Sequence, residues 1–221
     1  GYQNTAGGEA ALQCNTSGLR NTALGYKASQ FNTSGDCNVA VGCGALLSNS
    51  TADHNTAVGN SALATATAGC NTGVGSKAAC AITSGFRNVA VGHESLRDNT
   101  IGCYNTALGG SALLCNTTGG NNVGIGLCTL ACVETGCCNI AIGECAGHGV
   151  ACVDRTIAIG HCALFTGPGY GGTIAIGAFA LKSMTTGQGN MTIGSCSMCT
   201  ATTACNNTGY GIQAQKWLTT G

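Results

Sequence analysis

Charged residues are scarce in this chain of 221 residues. Eight Lys and Arg balance eight Asp and Glu, and together they make up 7% of the sequence. A typical globular protein contains about 25% charged residues. A chain without excess positive charge lacks the attraction for phosphates that nucleic acids and anionic membranes require. We therefore expect neither of them as a partner.

Proline, aromatic residues and long hydrophobic runs are also rare. The chain contains one Pro and one Trp, and its aromatic fraction is 5%. No apolar run approaches the roughly 18 residues of a membrane-spanning helix, so we expect no membrane insertion. The i, i+3, i+4, i+7 pattern of an amphipathic helix is missing as well, which favours an all-β fold.

Patterns that carry chemistry are equally sparse. Residues 167–172 match G-x-G-x-x-G, but they fall in a loop with no helix after them to receive a phosphate. Cys196 and Cys199 form a lone C-x-x-C, and Cys145 with His148 forms a lone C-x-x-H, whereas a zinc site needs two such pairs. We therefore expect no catalytic residues, no cofactor, no metal site and no enzymatic activity.

The chain is dominated by a 17-residue unit that repeats along its whole length. The unit reads Asn-Thr/Val-Ala-Val/Ile-Gly-x-x-Ala-Leu, followed by a polar stretch rich in Asn, Thr, Ser and Gly. Its thirteen copies begin at Asn4, Asn21, Asn38, Asn55, Asn71, Asn88, Asn105, Asn122, Asn139, Thr156, Thr173, Asn190 and Asn207. A fixed short period is typical of a solenoid, in which each repeat stacks on the next. The period predicts a single repeat domain over residues 1–221, as a segment of a longer fibre.

Position 5 of the unit, counted from its first residue, is always glycine. These glycines are Gly8, Gly25, Gly42, Gly59, Gly75, Gly92, Gly109, Gly126, Gly143, Gly160, Gly177, Gly194 and Gly211. Such regularity indicates a backbone conformation, or a backbone approach, that a side chain would forbid. Positions 6 and 7 vary freely and include charged residues such as Lys77 and Glu144, as expected of an exposed turn.

Two short strands are predicted in each unit, at positions 2–4 and around positions 8 and 9. The fold class is therefore a parallel β-solenoid, or β-roll, of thirteen coils of about 17 residues. We expect the aliphatic residues at position 4 to form a core ladder together with Leu at position 9. The ladder comprises Val41, Val58, Val91, Ile142, Ile159 and Ile176. The apolar side chains at positions 2 and 4 together have more surface than one thin coil can bury. This excess predicts self-association as a homotrimer or fibre.

Seventeen cysteines in a chain of low charge indicate an oxidising, extracellular compartment. Several recur at the same position of neighbouring coils, where stacking places Cα atoms about 4.8 Å apart. That spacing lies within the window for a disulfide, roughly 4.4–6.8 Å. The predicted structural disulfides therefore link Cys115 to Cys132, and Cys145 to either Cys128 or Cys162.

Segments 55–63, 88–92 and 105–113, together with the Ile-Ala-Ile-Gly of 140–143, carry a resemblance to known repeats. They resemble those of phage and bacterial fibre proteins and of the head domains of trimeric autotransporter adhesins. The resemblance implies left-handed parallel β-rolls packed as trimers. It also implies attachment to cell surfaces or hosts, with a cell-surface or host receptor as a partner.

The sequence thus predicts an extracellular or surface-exposed structural fibre or adhesin shaft, stabilised by disulfides and without catalysis. The alternative is an ice-binding β-solenoid that presents ladders of Thr. The Thr column at position 13 consists of Thr16, Thr33, Thr67, Thr83, Thr100, Thr117, Thr185, Thr202 and Thr219.

Overall fold

The computed structural model describes residues 2–149, 152–166 and 171–219, which contain β-strands and turns but no helix. The chain divides into two compact units, Gly1–Gly110 and Ser111–Gly221, here called unit 1 and unit 2. Residues 167–170, which include most of the G-x-G-x-x-G match, lie outside the described residues.

Each repeat contributes one strand of three residues. Unit 1 contains β1 (Thr5–Gly7), β2 (Thr22–Leu24), β3 (Val39–Val41), β4 (Thr56–Val58), β5 (Thr72–Val74), β6 (Val89–Val91) and β7 (Thr106–Leu108). Unit 2 contains β8 (Val123–Ile125), β9 (Ile140–Ile142), β10 (Ile157–Ile159), β11 (Ile174–Ile176), β12 (Met191–Ile193) and β13 (Thr208–Tyr210).

Within each unit, every strand pairs in parallel with the next one along the chain. The pairing keeps the repeat in register, as in Ala40 opposite Ala57 in unit 1 and Ala141 opposite Ala158 in unit 2. The repeat that begins at Asn55 has 16 residues instead of 17. Its register with the next repeat is intact, because Thr56 pairs with Thr72. The all-β parallel β-solenoid with a spacing of about 17 residues is confirmed, and its handedness stays a prediction.

The second predicted strand, around positions 8 and 9, is wrong. These residues form a turn in which positions 7 and 9 adopt left-handed backbone conformations, as Lys77 (φ 56°) and Ala79 (φ 50°) show. A β-strand needs negative φ throughout, so two left-handed residues bend the chain round the coil instead. Hydrogen bonds between turns continue nevertheless, because the N–H of Leu63 donates to the carbonyl of Ala78 at 3.0 Å.

The core consists mainly of the small residue at position 3 and Leu at position 9, with Ala at position 8 and larger apolar side chains at position 12 of some turns, such as Ile82. Ala57 is fully buried at position 3, as is Leu63 at position 9. At Gly73, also at position 3, an added Cβ would lie only 3.0 Å from Cγ of Leu63. Space beside the Leu column is therefore narrow, and position 3 holds Ala or Gly in every repeat except at Thr192, which is also fully buried.

The predicted core ladder at position 4 is wrong. Val41, Val58, Val91, Ile142, Ile159 and Ile176 point outward and are half-buried or exposed, with Val91 at 37% and Ile142 at 38% exposure. Side chains alternate between the two faces of a strand, so burial of position 3 places positions 2 and 4 outside. The Leu ladder predicted at position 9 is confirmed in both units by Leu63, Leu96, Leu113 and Leu181.

The glycine column at position 5 has two physical causes, as the sequence indicated. All thirteen residues have φ between 118° and 142°, a region that L side chains rarely adopt. At Gly42 an added Cβ would also lie 2.5 Å from the carbonyl oxygen of Gly59 in the next turn. Backbone conformation and close stacking thus both exclude a side chain there.

Candidate functional site

The most regular polar residues of the solenoid serve its own backbone. In unit 1 the N–H of Asn88 donates to Oδ1 of Asn71 at 3.0 Å, and Nδ2 of Asn88 donates to the carbonyl of Gly102 at 2.9 Å. Both Asn side chains are fully buried. In unit 2, Asn139 makes the same bonds to Asn122 and Val153. The Asn column at position 1 is therefore a structural ladder.

The Thr column at position 13 is also structural. The hydroxyl of Thr83 donates to the carbonyl of Thr100 at 3.1 Å, and that of Thr185 donates to the carbonyl of Thr202 at 3.0 Å. Their donor protons thus serve the next turn. A ligand that needs free hydroxyl donors would find this column occupied by internal hydrogen bonds.

The outward side of the strands in unit 1 forms a regular uncharged surface, which we call the Thr/Val face. It consists of positions 2 and 4 of β2 to β7: Thr22, Leu24, Val39, Val41, Thr56, Val58, Thr72, Val74, Val89, Val91, Thr106 and Leu108. All of these residues are half-buried or exposed. Because neighbouring strands stay in register, equivalent side chains repeat about every 4.8 Å in two columns.

The corresponding surface of unit 2 contains only aliphatic residues and Met, and we call it the Ile face. It consists of Val123, Ile125, Ile140, Ile142, Ile157, Ile159, Ile174, Ile176, Met191 and Ile193 from β8 to β12. Ile140, Ile142 and Ile193 are each 38% exposed, and Met191 is 43% exposed. A contiguous apolar surface of this kind marks an interaction site more often than a solvated face.

One pair of cysteines is bonded in the part of the chain that the structure describes. Cys196 and Cys199 form a disulfide with Cα atoms 4.9 Å apart, so the C-x-x-C motif closes on itself. The predicted bonds of Cys132 to Cys115 and of Cys145 to Cys128 or Cys162 are absent from this structure, where Cys132 and Cys145 are thiols. Equivalent side chains on stacked turns project in parallel, so their Cβ atoms keep the strand spacing of about 4.8 Å. A disulfide between such residues requires the Cβ atoms to approach to roughly 3.8 Å, and it requires an oxidant.

The structure does bring three of these cysteines together in unit 2. Cys128, Cys145 and Cys162 occupy position 7 of successive turns and are half-buried. Burial, followed by the neighbouring thiols of Cys128 and Cys162 and by Glu144, raises the pKa of the Cys145 thiol. The thiol of Cys162, on the next turn, is thus one of the groups that raise the pKa of Cys145.

A histidine and a carboxylate extend this thiol column. Nε2 of His161 lies 3.4 Å from Sγ of Cys162, and Nδ1 of His161 lies 3.6 Å from Oε2 of Glu144. The ring of Phe179 contacts His161 edge-on, with ring centroids 5.1 Å apart. Glu144, His161, Cys162, Cys145 and Cys128, here called the thiol cluster, thus form a connected group.

The sequence did not point to this cluster, although the repeat position of its members pairs Glu144 with His161 and Cys145 with Cys162. Glu144 and His161 both occupy position 6, and Cys145 and Cys162 both occupy position 7. Residues at the same position of consecutive turns meet in the stack. Grouping titratable residues by position, rather than by local spacing such as C-x-x-H, would have found the cluster.

A second cluster lies around Cys80 in unit 1. Arg97 contacts Glu94 at 3.2 Å and Asp98 at 2.8 Å, while Lys77 lies 3.7 Å from Glu94. Sγ of Cys80 lies 3.8 Å from the carbonyl oxygen of Arg97. Burial and then the charge of Asp98 raise the pKa of the Cys80 thiol, while Arg97 and Lys77 oppose that rise.

Other kinds of site find little support in the described ranges. No group of three or more His, Cys, Asp or Glu side chains there is arranged to hold a metal ion. No helix among these residues has the length and hydropathy to cross a membrane. An open depression of about 500 Å³ is lined by Thr186, Gly187, Gln188, Thr203 and Cys205, a lining without a charged acid or base.

Comparison of this chain with protein-family models, with curated proteins and with solved structures finds no match.

Proposed function

We propose that this chain is a segment of an extracellular structural fibre or adhesin shaft that self-associates as a homotrimer. The observation that carries the proposal is the Ile face, an uncharged surface of aliphatic side chains and Met on an in-register sheet. Burial of such side chains against copies of the same face is favourable at roughly 25 cal/mol per Å² of apolar surface. An isologous or cyclic assembly would cover the face in every chain at once.

The rest of the molecule supports a mechanical role. The Asn and Thr columns use their polar groups to join one turn to the next, and in each unit the core is a stack of small residues and aliphatic side chains, mostly Ala and Leu. The high cysteine content supports an oxidising exterior. In this role the fibre binds a cell-surface or host receptor through surfaces other than the Ile face.

Self-association is tested by measuring the mass of the protein in solution. We expect a trimer by sedimentation equilibrium at micromolar concentration, and a monomer for the double variant Ile142→Lys, Ile159→Lys. The matched control is Leu127→Lys, which replaces a 52% exposed residue of a turn in the same unit and keeps the trimer. A monomeric wild-type protein at these concentrations would overturn the proposal.

Ice binding is the second candidate, and the Thr/Val face favours it. Flat, uncharged and regularly spaced side chains are suited to ordered water, and β-branched residues hold fixed rotamers. In this candidate the ligand surface is positions 2 and 4, because the hydroxyls at position 13 donate within the solenoid. Thermal hysteresis should then be lost in Thr56→Lys and kept in Leu127→Lys. Absence of hysteresis in the wild-type protein would eliminate this candidate.

A further inference from the structure

The thiol cluster of unit 2 has a chemistry that a purely mechanical role does not use. We propose that Cys162 and Cys145 form a thiol–disulfide exchange site. The site accepts a small-molecule disulfide of the glutathione class and ends as a Cys145–Cys162 disulfide between adjacent turns. The proposal does not depend on self-association or on ice binding.

His161 makes Cys162 the attacking residue. Its Nδ1 lies 3.6 Å from Glu144, which favours the proton on that nitrogen and leaves Nε2 as the acceptor, 3.4 Å from Sγ of Cys162. A nearby imidazole that accepts the thiol proton is the usual way in which proteins activate cysteine as a nucleophile. Phe179 contacts the ring of His161 edge-on at 5.1 Å and restricts its orientation.

Cys145 is the resolving residue because it contacts Cys162 from the preceding turn. The two residues occupy the same position of adjacent turns, and burial raises the pKa of the Cys145 thiol, which favours its protonated form while Cys162 reacts first. Strand spacing places their Cα atoms about 4.8 Å apart, which a disulfide bridges after a small approach of the Cβ atoms. The reagent can reach the site, since the side chains of His161 and Glu144 are 48% and 58% exposed.

The exchange balances in two steps. In the first, His161 takes the proton of Cys162, Sγ of Cys162 bonds to one sulfur of the reagent, and the other half leaves as a thiolate that is then protonated. In the second, Cys145 loses its proton as its sulfur bonds to Sγ of Cys162, and the remaining half of the reagent leaves as a thiol. Two protein thiols are oxidised, and one disulfide is reduced to two thiols.

The test uses the full chain after complete reduction and removal of the reductant. Oxidised glutathione is added at pH 7.5, samples are quenched with acid at intervals, and each cysteine is followed by peptide mass mapping. We expect Cys162 to react at least tenfold faster than Cys43, an exposed cysteine of unit 1. The product should be a peptide pair joined through Cys145 and Cys162.

Variants separate the roles of the residues. His161→Ala should slow the reaction of Cys162 about tenfold, whereas His93→Ala, a change at the same position of another turn, should leave it unchanged. Cys145→Ser should trap glutathione on Cys162 as a mixed disulfide. Circular dichroism of every variant shows whether the solenoid is intact.

Two results would overturn the proposal. One is a rate for Cys162 that equals the rate for Cys43, or that does not change in His161→Ala. The other is a wild-type product in which Cys162 keeps glutathione and no bond to Cys145 forms. Neither result bears on the mass of the assembly, so this test and the test of self-association fail independently.

Discussion

Asn88 links three successive repeats: its N–H donates to Oδ1 of Asn71 in the preceding repeat, and its Nδ2 donates to the carbonyl of Gly102 at the end of its own repeat. Its Oδ1 accepts the N–H of Asn105, the first residue of the next repeat, at 2.9 Å. One buried side-chain amide therefore binds the end of one repeat and the start of the next.

Replacement of Asn88 by Ala should destabilise unit 1 strongly. The change removes the Oδ1 acceptor of the Asn105 N–H and one of the two side-chain donors to the carbonyl of Gly102, which keeps the Nδ2 of Asn99. The loss of buried hydrogen bonds of this kind costs about 1–3 kcal/mol, so we expect a loss of that size in the free energy of unfolding, measured by urea denaturation. Asn60→Ala, at an exposed turn position, is the control and should change stability little. Equal stability of the two variants would contradict a structural Asn ladder.

Substitutions in one strand can test which side faces the core. Ala90 is fully buried beside the Leu ladder, so Ala90→Leu should overpack the interior and cost roughly 1–3 kcal/mol. Val91→Leu, on the adjacent outward position, should stay within about 0.5 kcal/mol of the wild type. Thermal unfolding of the two variants provides the comparison. A larger loss of stability in Val91→Leu than in Ala90→Leu would mean that position 4, and not position 3, faces the core.

The glycine column predicts a difference between two glycines of the same turn. Gly42 has φ 132° and would place a Cβ 2.5 Å from the carbonyl oxygen of Gly59, so Gly42→Ala should prevent folding or cost at least about 3 kcal/mol. Gly44 has φ 63° and a Cβ there would lie 3.7 Å from Oγ of Ser61. Gly44→Ala should therefore cost only about 1–2 kcal/mol. Similar losses in both variants, measured by urea denaturation, would contradict the close stacking at position 5.

The Cys80 cluster predicts a pH dependence of alkylation. The pKa of Cys80 is raised by burial and then by Asp98, so its thiolate fraction at any given pH is lower than that of an ordinary cysteine. We expect the midpoint of its iodoacetamide reaction above pH 9.0, the ordinary value. Asp98→Asn removes one of the groups that raise the pKa and should move the midpoint down, while Asp36→Asn in a distant turn should not. A midpoint that Asp98→Asn leaves in place would exclude the electrostatic cause.

The sequence was sufficient for the architecture but not for the orientation of the strand. Its period predicted the turn length, the strand at positions 2–4, the glycine column and the ladder of Leu at position 9. The prediction that Val91 and Ile142 lie in the core was wrong, because hydrophobicity alone assigns the larger aliphatic side chain to the core. Alternation shows that positions 2 and 4 share a face, but it does not show which face is inside.

The cysteines illustrate a similar limit. Their shared positions correctly place Cys128, Cys145 and Cys162 side by side, whereas a bond also depends on Cβ separation and on an oxidant. The contact of His161 with Cys162 depends on side-chain direction at a left-handed turn, which a repeat pattern does not specify. Nothing in local spacing pairs Glu144 with His161 either, since they are 17 residues apart.

Sequence by itself determined that this chain is a parallel β-solenoid, because a strict 17-residue period with glycine at one position is satisfied only when equivalent residues stack. Tertiary structure alone decided what the solenoid presents to its surroundings. Space beside the Leu column is narrow, and position 3 holds nothing larger than Ala except at Thr192. The valines and isoleucines of positions 2 and 4 therefore face outward, where they form the Thr/Val face and the Ile face.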